Sequence, residues 1–449
     1  PIETVNPPVI YTVKKMPPGL TISNTTGIIN GKPTVPGSYL VSVQASNAAG
    51  KSNVLEFTID VAGLEPELIG TFHGLIGRSG VMNGNVGSRL ELVTTSKGTF
   101  TGKIITGTTS AAFKGALDSD PSDPDHPTIN IPIKAASSIY LSLTLDATTN
   151  SLSGFHHIAM FVAAPVEGWR NVWSATNPAS GYTNLHTFHL AQGDTDPALP
   201  QGYGFGSFKA APKTGLISAA GKLADNSSFT TSTFIGPVGQ VLLYQSLYTN
   251  KGSFFGKLTV TTGATADDTA ITGAPSWFKP APLPSSRDTI YRDGFGPFDL
   301  TAEGGTFIPP AKGNVIMGFD NVDNNAQLDF EQGSLTPAEE PDIVFSIRNT
   351  SPTATTNKAI LPTFASGNNP FKVTMTTLNT GTGAFAGGFT IPGATVAKNR
   401  VATYSGMAVR VGGIYQGSGF FLAPKTPVGS ETVATAPKSS GSVLLLKNP

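Results

Sequence analysis

The sequence predicts an all-β protein, and three observations lead to this fold class. Glycine (51) and proline (35) are frequent among the 449 residues, whereas charged residues make up only 13%, a composition that disfavours helices and suits short strands joined by turns. Apolar and polar residues alternate along many short segments, as in half-buried strands. A glycine-rich motif with a central aromatic residue recurs along the chain, which is typical of repeated β units.

Chain length and charge restrict the class of protein further. One core rarely serves 449 residues, so we expect three domains. A hydrophobic fraction of 39% with a formal charge of +0 predicts a folded chain. No excess of Lys and Arg marks a surface for nucleic acid, and no apolar run reaches the roughly 18 residues of a membrane helix. We expect neither a nucleic-acid partner nor membrane insertion.

The absence of cysteine excludes disulfides and thiolate metal sites, so stability depends on packing and strand pairing. The chain begins at Pro1 without an initiator Met or an apolar leader. We therefore expect an export signal that has been removed.

Residues 1–62 have the pattern of a small β sandwich. Alternating segments predict strands at residues 9–13, 20–22, 27–29, 39–45 and 55–61. Turn residues lie between them at positions 17–19, 24–27 and 35–37, where Pro and Gly allow the chain to reverse.

Three phrases in this segment resemble the bacterial putative-Ig module, a cadherin-like immunoglobulin family. They lie at residues 16–20, 26–33 and 37–50, and the resemblance covers residues 11–61. It implies an N-terminal immunoglobulin-like sandwich without catalytic residues. It also implies an extracellular or cell-surface location, because such modules usually act as spacers in large exported proteins.

Beyond residue 62 a Gly-x-Phe-x-Gly motif recurs at residues 98–104, 252–258 and 383–389. Each copy predicts a hairpin with the first Gly in the turn, the Phe facing inward and the second Gly admitting a neighbouring strand or ring. The three aromatic residues are therefore predicted to be buried equivalents: Phe100, Phe254 and Phe385. These hairpins predict antiparallel β-barrel or sandwich domains.

A second phrase follows two of these hairpins, with Phe113 and Gly115 after the first and Tyr404 and Gly406 after the third. We place a β-repeat domain at residues 63–307, with two possible halves meeting near Gln192, and a second at residues 308–449. Residues 63–449 also resemble the β regions of large uncharacterised exported bacterial surface proteins, which implies a surface location and supplies no catalytic residues.

Two clusters of polar residues are candidate metal sites. Carboxylates that could surround a calcium ion follow one another at Asp118, Asp120, Asp123 and Asp125; the alternative is a solvated loop stiffened by prolines. His186 and His189 lie three apart in a predicted strand and so point to opposite faces. We predict no metal centre and no cofactor.

An aromatic group is a candidate carbohydrate platform. Trp169 and Trp173 are expected on one strand face together with Asn171, and Tyr182 follows after a turn. The alternative is an interior cross-strand cluster.

Motifs of enzymes are poor matches. Residues 202–206 have the wrong glycine spacing for a dinucleotide turn, residues 50–52 lack the upstream Gly of a phosphate loop, and no Gly-x-Ser-x-Gly elbow occurs. Several glutamates could pair as in glycoside hydrolases, but nothing selects two of them. We predict a protein that is not an enzyme.

Three functional hypotheses follow. The first is a non-catalytic structural component of a bacterial cell-surface or extracellular assembly: a surface layer, sheath or filament whose partners are further copies or other surface proteins. The alternative is a carbohydrate-binding or adhesive surface module, favoured by exposed coplanar rings. The third is an enzyme, favoured by a deep pocket with convergent carboxylates or histidines.

The N-terminal module predicts a site of association. Modules that resemble it usually have a strand before the one at Tyr11, whereas Pro7 and Pro8 cannot donate hydrogen bonds to a ladder. We therefore expect an open sheet edge that a neighbouring subunit fills by strand addition. The apolar segment 442–446 is a candidate donor, or the closing strand of its own domain.

Overall fold

A computed structural model describes residues 10–120, 122–133, 138–158, 162–265, 267–283 and 285–448. The described chain folds into antiparallel sheets, which confirms the all-β prediction. Its short helical segments are one α-helical turn, α1 (Gly80–Asn83), and 3₁₀ turns at Pro66–Leu68, Ser180–Tyr182, Ile316–Gly318, Pro337–Glu339, Phe364–Ser366 and Val396–Lys398. No helix among the described residues is long and apolar enough to cross a membrane.

The first sheet forms the N-terminal module. The strands of this module are β1 (Ile10–Lys14), β2 (Leu20–Ile22), β3 (Ile29–Gly31), β4 (Gly37–Asn47), β5 (Gly50–Lys51) and β6 (Leu55–Val61). β1, β4, β5 and β6 form the first sheet, whereas β2 and β3 pair separately. β4 lies between β1 and β6. Its alternate residues Val41, Val43 and Ala45 are buried with Tyr11, as expected for a strand with one face on a core.

The second sheet begins with strands β7 (Gly70–Ile76), β8 (Ser88–Thr94), β9 (Thr99–Thr106), β10 (Thr109–Ala116) and β11 (Asp118–Asp120). It continues with β12 (Asp123–Pro132), β13 (Ile139–Asp146), β14 (Ser151–Ile158) and β15 (Val162–Arg170). The order is β10-β9-β8-β7-β15-β14-β13-β12-β11. Side chains from both arms of this meander, such as Phe100 and Leu141, share one core, so the sheet curves around it.

The third sheet begins with strands β16 (His186–Ala191), β17 (Tyr203–Phe208), β18 (Leu216–Lys222), β19 (Ser228–Phe234) and β20 (Gln240–Leu247). It continues with β21 (Gly252–Thr262), β22 (Thr269–Gly273), β23 (Ser276–Lys279), β24 (Phe295–Asp299) and β25 (Thr301–Thr306). The order is β19-β18-β17-β16-β25-β22-β21-β23-β24, with β20 also paired to β21. Phe229 of β19 and Phe254 of β21 are in contact, with ring centroids 4.7 Å apart, so β19, at one end of the order, packs against a strand near the other end.

The fourth sheet contains β26 (Ala326–Gln332), β27 (Ile343–Asn349), β28 (Asn357–Ile360), β29 (Thr374–Leu378), β30 (Ala384–Ile391), β31 (Arg400–Val411), β32 (Ile414–Pro424) and β33 (Lys438–Lys447). The order is β28-β27-β26-β33-β32-β31-β30-β29. β33 is bonded to β26 on one side and to β32 on the other. Residues 442–446 are therefore an interior strand of their own sheet, and the hypothesis that they pair with another copy is wrong.

The recurring motif does form hairpins with buried aromatic rings. Phe100 of β9, Phe254 of β21 and Phe385 of β30 are each at most 1% exposed and lie in three different cores. The turn glycines Gly98 and Gly383 have φ of 69° and 78°, a conformation that glycine adopts without strain.

Phe100 and Phe385 each cover a glycine on the neighbouring strand. The cross-strand partner of Phe100 is Gly115, and that of Phe385 is Gly406. A β-carbon on Gly115 would lie 2.7 Å from Phe100 Cζ, and one on Gly406 would lie 2.3 Å from Phe385 Cζ. The reciprocal pairs, Phe113 with Gly102 and Tyr404 with Gly387, have the same arrangement. The second segment of the repeat thus supplies the glycine that leaves room for the aromatic ring of the first segment.

Partly buried polar contacts join the second sheet to the third. Arg78, in the loop after β7, donates from Nη1 to Ser253 Oγ at 2.6 Å and from Nη2 to the Ser276 carbonyl at 3.0 Å. Tyr244 of β20 accepts from the Gly107 amide at 2.8 Å. Burial lowers the pKa of Arg78 to about 10, so the guanidinium stays charged at neutral pH.

The third and fourth sheets pack face to face. Thr187 of β16 donates to the Ala408 carbonyl at 2.9 Å, and the Tyr291 and Ser440 hydroxyls are 2.8 Å apart. Phe420 and Leu422 of β32 belong to the core of the third sheet. The strands of the third sheet precede position 307 and those of the fourth follow it. The division into three domains stays a prediction, with proposed bounds at residues 1–62, 63–307 and 308–449.

Candidate functional site

The acidic stretch forms a hairpin on the surface of the second sheet. Each of three carboxylates has a side-chain partner. Asp118 Oδ1 lies 2.7 Å from Nζ of Lys32 in the N-terminal module. Asp120 Oδ1 accepts from Ser122, and Asp123 Oδ1 lies 2.7 Å from His126 Nδ1. Asp125 accepts from the Ala147 amide through its backbone carbonyl. These contacts do not test calcium binding at Asp118, Asp120, Asp123 and Asp125.

The titration of this hairpin follows from those contacts. The hydrogen bond with Asp123 raises the pKa of His126, and hydrogen bonds from Ser122 lower the pKa of Asp120. Across the described ranges, no group of three or more His, Cys, Asp or Glu side chains is arranged to hold a metal ion.

The aromatic residues Trp169, Trp173 and Tyr182 lie in two separate clusters. β15 ends at Arg170, so the expectation that Trp169 and Trp173 share one strand face with Asn171 is wrong. Trp169 packs at the contact between the second and third sheets, beneath Lys257 Nζ at 4.9 Å from its ring centre.

Trp173 instead packs edge-on against Tyr182, with centroids 5.8 Å apart, and donates from Nε1 to the Ile235 carbonyl at 2.6 Å. Tyr182 is buried and Trp173 is partly buried against the third sheet's core. The rings therefore have structural partners, and sugar binding by them stays a prediction.

The paired histidines of β16 contact different neighbours. His186 stacks on Phe208 with the ring planes 8° apart, and burial lowers its pKa to about 4. His189 lies against the fourth sheet, where its Nδ1 is 3.1 Å from Ser418 Oγ.

His189 also lies near an acid, which gives the arrangement of a nucleophile, a base and a carboxylate. His189 Nε2 is 3.6 Å from Glu303 Oε2. Nucleophilic catalysis also needs a hydroxyl that substrate can reach. Ser418 is completely buried between the sheets and accepts a hydrogen bond from Gln416 at 3.0 Å. These residues therefore bind the third sheet to the fourth.

The most unusual group of charged residues was missed in the sequence and lies in the third sheet. β23 alternates so that Trp277 and Lys279 both face inward. Lys279 is only 2% exposed. Its Nζ donates to Asp288 Oδ2 at 2.9 Å and to the Ile290 carbonyl at 2.6 Å. A buried ammonium is stable only when such partners replace water.

A second carboxylate, Asp225, faces the same ammonium from the turn between β18 and β19. Asp225 is buried, and its Oδ2 is 3.9 Å from Lys279 Nζ. Its Oδ1 accepts from the Ser227 amide at 2.8 Å. The buried ammonium of Lys279 thus lies between two carboxylates. We call these three residues, together with two neighbouring aromatic residues, the Lys279 cluster: Lys279, Asp225, Asp288, Tyr248 and Trp277.

Tyr248 completes the Lys279 cluster. Its hydroxyl donates to Asp225 Oδ2 at 2.6 Å and accepts from Trp277 Nε1 at 3.0 Å, while its ring lies 4.9 Å from Lys279 Nζ. Burial and the charge of Asp225 raise the pKa of Tyr248 well above its ordinary value, so the phenol remains a proton donor. Tyr248 itself has a φ of 52° in the turn after β20.

One signal for this cluster was present in the sequence. Alternation along residues 276–279 puts Lys279 on the same face as a tryptophan, which is rare for an unpaired lysine. Its partners come from turns that are distant in the sequence, so alternation alone could not identify them.

Comparison with known proteins concerns the N-terminal module. No curated protein matches the chain. Residues 2–62 match the model of the family described as Putative Ig domain, in agreement with the resemblance at residues 11–61 and with the sandwich of β1–β6. The N-terminal module is therefore identified as a Putative Ig domain, and residues 63–449 lie outside the match.

Proposed function

We propose that the protein is a non-catalytic structural component of a bacterial cell-surface or extracellular assembly, such as a surface layer, sheath or filament. An immunoglobulin-like module is typical of surface and adhesive proteins. The observation that carries the proposal is the joining of the second, third and fourth sheets by buried and partly buried hydrogen bonds, through Arg78, Tyr244 and Tyr291. These contacts join the sheets without disulfides, since the chain has no cysteine.

The segment ahead of the strand at Tyr11, where the open edge was expected, lies outside the described residues. We place the contact between subunits at the opposite edge of the first sheet, which is formed by β6. Within the described residues β6 pairs with β4 and with no other strand. Leu55 at its start is 50% exposed, and Leu40 on β4 is 48% exposed. An unpaired edge with apolar residues accepts an additional strand. Repetition of such a contact from head to tail produces filaments.

Light scattering and negative-stain electron microscopy of the full chain test this proposal. We expect a mass that increases with protein concentration and ordered polymers on the grids. Leu55→Lys should reduce assembly, because a charged residue would oppose strand addition while the exposed position leaves the fold intact. Val396→Lys is a matched control, because Val396 is also exposed but lies in the fourth sheet's region.

A monomer at high protein concentration would contradict the proposal, and so would equal assembly of the wild type and Leu55→Lys. In either case the adhesive or carbohydrate-binding alternative would replace it. A glycan array with the same full-length chain would then test that alternative directly.

A further inference from the structure

The Lys279 cluster has chemistry that the proposed assembly does not use. Two carboxylates and one ammonium are gathered in a largely buried site, with Asp225 and Lys279 at 4% and 2% exposure. Burial of ionised groups is costly, and a buried ion pair recovers only part of that cost. A neutral product from Lys279 and Asp225 removes the cost of burying those two charges.

We propose that Lys279 and Asp225 become joined by an intramolecular amide bond. Lys279 Nζ faces the carboxyl group of Asp225, with 3.9 Å between Nζ and Oδ2. The reaction requires Nζ and Cγ of Asp225 to approach to about 3–3.5 Å, a short movement for a lysine side chain. Both ends are held in place: Lys279 is in β23, and the Ser227 amide fixes the Asp225 carboxylate. The inference is independent of the proposed assembly, since a monomer can contain the same bond.

The reaction is a condensation that needs no further reactant. Asp288 accepts a proton from Lys279 Nζ along their 2.9 Å hydrogen bond, and the neutral amine attacks Cγ of Asp225. The N–Cγ bond forms and the Cγ–Oδ2 bond breaks. Two of the three ammonium protons end on Oδ2, which leaves as water. One proton travels through Asp288, and the other is delivered by the Tyr248 hydroxyl, which regains a proton from the nitrogen.

Tyr248 is positioned to assist this step. Its hydroxyl donates to Asp225 Oδ2 at 2.6 Å, the oxygen that departs. A hydrogen bond to this oxygen withdraws electron density from Cγ and stabilises the charge that develops there. Trp277 in turn donates to the Tyr248 oxygen, which holds the hydroxyl in that orientation.

The bond would close the seam of the third sheet. β19 and β20 are not neighbours in the sheet order, and they meet through side-chain hydrogen bonds such as the one from Thr231 Oγ1 to the Tyr244 carbonyl at 3.0 Å. The turn that carries Asp225 precedes β19, whereas Lys279 is near the opposite end of the sheet order. An amide bond between Asp225 and Lys279 adds a covalent link where side-chain hydrogen bonds join the two parts of the sheet.

An exposed pair provides the internal comparison. Lys257 Nζ and Glu167 Oε2 are 2.9 Å apart, nearer than Lys279 and Asp225, but both side chains are more than a third exposed. Water stabilises the ions of that pair, so we expect no amide there. Burial, and not proximity alone, selects the reactive lysine.

Mass spectrometry of the intact, purified full-length chain tests the proposal. We expect a mass lower than that of the sequence by one water, and a digest in which one branched peptide contains both Lys279 and Asp225. Lys279→Met and Asp225→Ala should restore the full mass. Lys257→Met is the control and should keep the loss of one water and the branched peptide.

Two further variants separate the reaction from folding. Asp225→Asn should still form the bond but lose one ammonia instead of one water, because the same Cγ is attacked. Asp288→Asn should remain folded by circular dichroism while the bond forms at least tenfold more slowly, because removing a general acid or base costs about 10²–10⁴-fold in rate.

The full sequence mass in folded wild-type protein, together with no loss of ammonia in Asp225→Asn, would overturn the proposal. A branched peptide that joins Lys279 to Asp288 would also overturn it, because the assigned roles would then be reversed.

Discussion

The second and fourth sheets use the same hairpin in different settings. In both, two aromatic rings cover glycines on the partner strand: Phe100 and Phe113 in one, Phe385 and Tyr404 in the other. Within the described residues β10 pairs only with β9, whereas β31 lies between β30 and β32. The motif therefore determines local packing, and its place in the sheet order decides how much surrounding structure depends on it.

Truncation of the central ring should have the largest effect. Phe385→Ala and Phe100→Ala should each reduce the free energy of unfolding by about 3–5 kcal/mol, because both rings are fully buried. Phe254→Ala in the third sheet should behave alike. Denaturant unfolding followed by hydrogen exchange would assign each loss to a sheet; unchanged stability in all three variants would show that the repeat has no structural role.

Acidification should destabilise the second sheet more than the fourth. Burial lowers the pKa of His73 and His156 in the second sheet to about 4, below the 6.5 of an unfolded chain. The unfolded state then binds more protons, so the stability that these residues contribute is present above pH 6.5 and is lost as the pH falls towards 4. The fourth sheet has no histidine. Between pH 7 and pH 4.5, the opening free energy measured by hydrogen exchange should fall more for the second sheet than for the fourth. His156→Phe should reduce this difference between the sheets.

The covered glycines should tolerate substitution unequally. Gly406→Ala places a β-carbon 2.3 Å from Phe385 Cζ and 2.8 Å from the Ser418 carbonyl on β32, so neither neighbour can move easily. For Gly115→Ala, on the edge strand β10, the three nearest atoms to the β-carbon all belong to the Phe100 ring. We expect a loss of about 1–3 kcal/mol at Gly406 and a smaller loss at Gly115 in thermal unfolding. Equal losses would contradict the distinction between edge and interior.

A smaller effect should come from the hydroxyl that distinguishes Tyr404 from Phe113. Tyr404 donates to the Thr374 carbonyl of β29 at 2.8 Å. Tyr404→Phe should cost about 0.5–1.5 kcal/mol, measured by urea unfolding. Phe113→Tyr is the reciprocal variant. A gain in stability there would show that the hydroxyl does not need the β29 acceptor.

Chelation should have the smallest effect. We expect EDTA to leave the melting temperature of the second sheet almost unchanged, since Asp118, Asp120 and Asp123 already bind other side chains. A large decrease that calcium reverses would make the hairpin a metal site.

Several features followed from the sequence because they depend on near neighbours. The Gly-x-Phe-x-Gly motifs around Phe100 and Phe385 predicted that these rings are buried. The segments that follow, with Phe113 and Tyr404, predicted that each hairpin continues into a meander. The copy at Phe254 shows the limit of the pattern. Its ring is buried, but its cross-strand partners are Gln245 and Trp277 and not a glycine, since the pairing of β21 with β20 and β23 sets this register.

The candidate site was far less predictable. Trp169 and Trp173 were expected on one face, but the strand ends between them at Arg170. Asp225, Tyr248, Lys279 and Asp288 are brought together from three turns and a strand, and no spacing in the sequence connects them. Only the curvature of the third sheet places these groups within hydrogen-bonding distance.

The sequence by itself determined the all-β class, the N-terminal immunoglobulin-like module and the inward face of each repeated hairpin. Composition, alternation and turn residues act within a few positions, so they are readable along the chain. Only the tertiary structure decided that β33 is an interior strand and that Lys279 lies beside Asp225. Both depend on which distant strands become neighbours when a sheet closes around its core, and that choice is made by packing across the whole domain.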